Sequence, residues 1–147
     1  MSILESLHKE HEEILGKTHF IMAQLIHSLK TTFNDYPEHT KEFTEFVQTN
    51  LINHWEIEEE VIYPILKKKV DPLIVQNLIF DHERLKREFN EYLQHVNDAE
   101  LAILHIKNLI NYLEIHSRKE EELFSSVISS TSLSQEELKK IEEVIKH

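Results

Sequence analysis

The chain contains no cysteine. That excludes a disulfide framework, a thiolate metal ligand, an iron–sulfur cluster and a cysteine nucleophile. Glycine occurs once and proline three times in 147 residues, so the backbone has few breaks, and the abundance of Glu, Lys, Leu and Ile favours long helices over a sheet. No apolar run approaches the ~18 residues of a membrane span, and the amphipathic segment from Ile3 onward lacks the apolar core of a signal peptide. A soluble cytoplasmic protein with no membrane partner is expected. Basic residues are scarce: 16 Lys and Arg stand against 27 Asp and Glu, a net charge of −11, which argues against a nucleic-acid partner.

What is present is an apolar share of 40%, enough for one domain with a real core, and eleven histidines alongside those acids. Together they are an inventory of nitrogen and oxygen ligands without sulfur. Apolar periodicity and capping signals predict an all-α chain. Ser2 with Glu5 opens a first helix over about residues 3–32, carrying Gly16 as a mild local cost that can permit close helix packing. Asn34 to Pro37 reads as a loop, followed by a second helix to about residue 69, which Pro64 should kink or end. Asp71-Pro72 opens a third helix to about residue 97, and Asn97-Asp98 turns into a fourth over about 99–130. Ser134 and Glu137 form a capping box for a short fifth helix to about residue 146. Short connections between long helices imply an up-down-up-down four-helix bundle over residues 3–130, with a C-terminal helix over 135–146, in a single domain spanning 1–147.

The chemistry lies in two copies of one pattern. His54-Trp55-Glu56-Ile57-Glu58-Glu59 and His116-Ser117-Arg118-Lys119-Glu120-Glu121 each place a glutamate four residues after a histidine. On a helix the pair share a face, roughly 6 Å apart along the axis. Acidic–His pairs precede each copy, Glu10-His11 in the first helix and Asp81-His82 in the third, so the two halves form a weak internal repeat. The helical phase puts His11, His54, Glu58, His82, His116 and Glu120 on otherwise apolar stripes, such as Val75, Leu78, Leu85, Phe89 and Tyr92 around His82. Carboxylates in an apolar interior cost several kcal/mol each unless paired or metal-bound. Six ligands exceed one tetrahedral zinc site. They suit two metals bridged by the two glutamates, with iron the best fit and manganese or zinc lesser options. The alternative is a fully satisfied His–Glu polar network in a metal-free helical interaction domain. The Glu-x-x-His spacing of ferritin-like proteins occurs once, at Glu5 to His8.

These residues resemble the hemerythrin-like (HHE cation-binding) family along residues 3–130. His11, His54, Glu58 with Tyr63-Pro64, His82, His116 and Glu120 match its pattern one by one. Two departures stand out. Oxygen-carrying hemerythrins have a second histidine one turn away on the third helix, where this chain has Leu78 and Lys86, and they use an Asp five residues after the histidine of the fourth helix. His8 lies about 60° around its helix from His11, so it reads as a surface residue or one behind the ligands. The resemblance implies a non-haem di-iron protein that binds or senses O2 or related small oxidants, without dedicated catalysis. Nitric-oxide or peroxide chemistry, iron–sulfur repair and iron storage are the alternatives; the repair members carry a cysteine-bearing segment, and the absence of cysteine here weakens that alternative. Glu10, Glu56, Glu59, Asp81 and Glu121 are expected to face solvent, with Glu59 or Glu121 available to orient a ligand histidine. His19, His27, His39, His95 and His147 read as solvated, and His105 as a satisfied histidine at the bundle end. Tyr112 reads as a structural aromatic, with gating as its alternative role, and Trp55 as core.

Overall fold

The computed structural model describes residues 2–30, 35–130 and 132–145. They form five helical segments and no strand: α1 (Ile3–Lys30), α2 (residues 36–66), α3 (Pro72–Gln94), α4 (Ala99–Ser129) and α5 (Gln135–Ile145). No described helix is long and apolar enough to cross a membrane.

Most boundaries follow local chemistry. The amide of Glu5 donates to Ser2 Oγ (3.1 Å), and Asp71 and Asp98 cap α3 and α4 by accepting from Leu73 and Leu101. Ser134 and Glu137 exchange both bonds of a capping box, at 3.1 and 2.9 Å. Two helices stop short of the sequence expectation. Residues 67–70 form a turn rather than the end of α2, and 95–97 a turn rather than the end of α3. The expected extension of the first helix to residue 32, and Asn34, lie outside the described residues.

The main departure is inside α2. It contains two π-helical turns, Val47–Leu51 and Glu58–Ile62, marked by amides of Ile52 and Tyr63 that reach back five residues to Val47 and Glu58. The second turn explains why Pro64 does not end the helix. Pro64 falls in the first turn of the stretch Tyr63–Leu66, where a missing N–H costs little. Gly16 is exposed, and a Cβ there would meet nothing within 4 Å, so it serves no close helix approach.

α4 packs along both α1 and α3; α1 also meets α2, the end of α2 meets α3, and α5 lies on α1 and on the second π turn. The core is divided into two apolar clusters. One contains Leu25, Phe43, Trp55, Phe89 and Leu109; the other contains Leu7, Ile62, Val75, Phe124 and Ile141. α1 leads from the second cluster to the first, α2 from the first to the second, α3 back again and α4 back once more. Each crossing between clusters is made by polar residues.

Candidate metal centre

Those crossing residues are His11 on α1, His54 and Glu58 on α2, His82 on α3, and His116 and Glu120 on α4. Five of the six are buried, and His54 keeps 18% of its side chain exposed. They converge as two sets of four: His11, His54, Glu58 and Glu120, and Glu58, His82, His116 and Glu120. In each set the donor atoms lie within 4.8 Å of one another. Both glutamates belong to both sets, and each offers one oxygen to each side. Glu58 places Oε2 3.5 Å from His54 Nε2 and Oε1 3.1 Å from His82 Nε2. Glu120 places Oε1 3.5 Å from His11 Nε2 and Oε2 2.6 Å from His116 Nε2.

The second π turn begins at Glu58, so the ladder is perturbed at one of the candidate ligands, and π turns are frequent at functional sites. His82 is clamped between Trp55 and Tyr63, whose rings lie 5.5 Å away on either contact and are inclined by 24° and 22°. Trp55 is thus core, as expected, and also stacks on the His82 ring.

The polar atoms fit a cation. Both oxygens of Glu58 and Oε1 of Glu120 are buried without a hydrogen-bond donor. The Nε2 atoms of His82 and His116 face each other at 3.0 Å. Such atoms are costly to leave unpaired in a dry interior. A metal held at about 2.1 Å separates opposite ligands by about 4.2 Å, within the span observed here.

Three of the four imidazoles have a carboxylate behind them. His54 Nδ1 pairs with Glu10 Oε1 (2.5 Å), His116 Nδ1 with Asp81 Oδ2 (3.1 Å) and His11 Nδ1 with Glu121 Oε2 (3.2 Å). Glu59 stands 3.8 Å from His82 Nδ1, too far for a hydrogen bond. Three of these acids therefore pair across helices, α1 to α2, α3 to α4 and α4 to α1, while His82 Nδ1 is buried without a hydrogen-bond partner among the described residues. This corrects the expectation that Glu10 and Asp81 are exposed charges: both are half-buried and hold histidines of neighbouring helices. Glu59 and Glu121 are half-buried too, while Glu56 is exposed.

The charges follow from this packing. Burial disfavours a charged His116, but Glu120 and Asp81 outweigh it and raise its pKa to about 10. His11 and His54 are raised for the same reason, burial being overcome by Glu120 and Glu121 for His11 and by Glu58 and Glu10 for His54. Glu120 is held well below the usual glutamate range, because His116, Glu58 and His11 outweigh its burial. Asp81 is lowered by His116 and Lys119 against its own burial.

Tyr63 also reaches these residues, a contact not foreseen. Its hydroxyl donates to Glu120 Oε2 (2.8 Å) and lies 3.3 and 3.4 Å from the Nε2 atoms of His82 and His116. Burial, first of all, raises its pKa, so the hydroxyl keeps its proton. The Tyr-Pro pair was the signal, since it was already part of the family pattern. Tyr112 is half-buried, packs against the first apolar cluster and has the Arg84 guanidinium 5.3 Å from its ring centre.

Comparison with protein-family models, curated proteins and solved structures found no match.

The other histidines stay apart from the six. His8 is exposed and pairs with Glu121 (2.5 Å) and Glu12 (2.9 Å). His19 pairs with Glu114 at the surface (3.0 Å), and His105 is satisfied by Glu88 (2.6 Å). His27 is exposed, His39 and His95 are half-buried rather than solvated, and His147 lies outside the described residues. A cavity of about 510 Å³ between α1, α2 and α5 reaches His54 and Glu58 past Ile14, Ile57 and Val144.

Proposed function

We propose that this chain is a hemerythrin-like, non-haem di-iron protein that binds or senses O2 or a related small oxidant. The carrying observation is the sharing of Glu58 and Glu120 between two sets of four ligands, one oxygen to each side. A single tetrahedral ion has no use for six donors, whereas a carboxylate-bridged pair uses all of them. A four-helix bundle of alternating direction is the arrangement we propose for α1 to α4. It is supported by the alternate order in which they visit the two apolar clusters.

In this reading His11 and His54 serve one metal, His82 and His116 the other, and Glu58 and Glu120 both. An iron pair would supply reversible electron exchange with a small ligand. The chain's residues do the rest. Glu10, Asp81 and Glu121 hold the imidazoles with the proton on Nδ1 and Nε2 turned inward. The apolar clusters exclude bulk water. Tyr63 holds Glu120 Oε2 and keeps a proton beside the second set. The cavity beside His54 admits a small molecule to the first set.

The absorbance of the reduced, iron-loaded protein before and after air exposure tests this function. A near-ultraviolet to visible band that appears with oxygen and disappears on its removal is expected. Irreversible oxidation would replace this reading with storage or peroxide chemistry.

A further inference from the structure

A second cluster of His and Glu lies where α3 hands over to α4. Glu91 in the last turn of α3, His95 in the turn that follows and His105 on α4 each offer one donor atom, and these atoms lie within 4.8 Å of one another. None of them takes part in the centre described above. His105 precedes His116 by eleven residues, which is about 16 Å along a helix. The two imidazole rings are 5.5 Å apart and inclined by 31°.

Both rings are held in one protonation pattern. His95 Nδ1 donates to the Glu91 carbonyl oxygen (2.9 Å), and His105 Nδ1 donates to Glu88 Oε1 (2.6 Å). Glu88 is itself fixed, since Asn108 Nδ2 donates to the same oxygen (3.1 Å). An imidazole that donates from Nδ1 carries its free lone pair on Nε2, the form that binds metals. The carboxylate behind His105 is the same device that stands behind the histidines of the buried centre.

We propose that Glu91, His95 and His105 form a second, surface site for a divalent transition-metal ion of the zinc type. Two imidazoles and one carboxylate make a zinc-like donor set, and three protein ligands leave a position for water. Nitrogen donors disfavour magnesium and calcium here. The side chains of Glu91 and His95 are 52% and 37% exposed, so the ion exchanges with solvent, unlike one enclosed between the apolar clusters.

Equilibrium dialysis against Zn2+, with bound metal counted per chain, tests the site. Wild type, His95→Gln, His105→Gln and Glu58→Ala are compared, with helicity checked by circular dichroism. The expected result is one ion fewer in each His→Gln variant than in wild type, with Glu58→Ala still holding the ion that His105→Gln loses. Folded His95→Gln and His105→Gln proteins that bind as much Zn2+ as wild type would overturn the proposal. So would a folded Glu58→Ala, His105→Gln double variant that binds as much Zn2+ as Glu58→Ala alone, because the ion lost from His105→Gln would then belong to the buried centre.

Discussion

The residues that hold the imidazoles do as much here as the imidazoles themselves. Glu10 is adjacent to His11 in sequence yet serves His54, and Asp81 is adjacent to His82 yet serves His116. A helix places neighbouring residues about 100° apart, so an acid beside His11 or His82 points away from that imidazole, and Glu10 and Asp81 fall on the side that meets the next helix. Removing such a partner typically weakens metal binding by about 10- to 100-fold. Glu10→Ala should therefore lose metal to a chelator at a concentration 10- to 100-fold lower than wild type requires. Glu12→Ala, whose carboxylate pairs only with exposed His8 among the described contacts, should behave as wild type. Equal chelator sensitivity of Glu10→Ala and wild type would remove Glu10 from the account.

At the scale of elements, the helices and the inward face of each were readable from apolar period and caps. The six convergent residues stood out because they interrupt apolar stripes. The π turns were not foreseen, although α2 carries a trace of them: Phe43, Val47, Leu51 and Trp55 are buried at a strict spacing of four, wider than 3.6. The acid–imidazole pairs across helices were not readable either, because they depend on how each helix is rotated against its neighbour. Gly16 shows the opposite error, a packing role inferred from residue type where the helix face is open. Gly16→Ala should accordingly stabilise the protein by about 0.5–1 kcal/mol, since Ala gains helix propensity and meets no neighbour. Thermal unfolding checks this, and a lowered midpoint would mean that α1 packs more closely at Gly16 than described.

For the whole molecule, the centre joins four helices through charge, so stability, pH and metal are linked. In the metal-free chain the raised pKa values of His11, His54 and His116 add stability that is complete below the unfolded imidazole value of about 6.5. That contribution fades as pH rises through the folded values, about 10 for His116. Glu120 acts in the other direction: its lowered pKa adds stability present above the ordinary glutamate value and lost as pH falls through the folded one. The unfolding midpoint of chelator-treated protein should thus fall between pH 6.5 and about 10, while metal-loaded protein, which needs neutral imidazoles, should not show that fall. Parallel profiles for the two forms would contradict the linkage. The central claim, a pair of metals bridged by Glu58 and Glu120, is tested most directly by counting metal per chain in the purified wild type, His54→Ala, Glu58→Ala and Glu120→Ala proteins. Two irons per wild-type chain, with metal lost from all three variants, is the predicted result; no stoichiometric metal in wild type, or unchanged content in the variants, would contradict it.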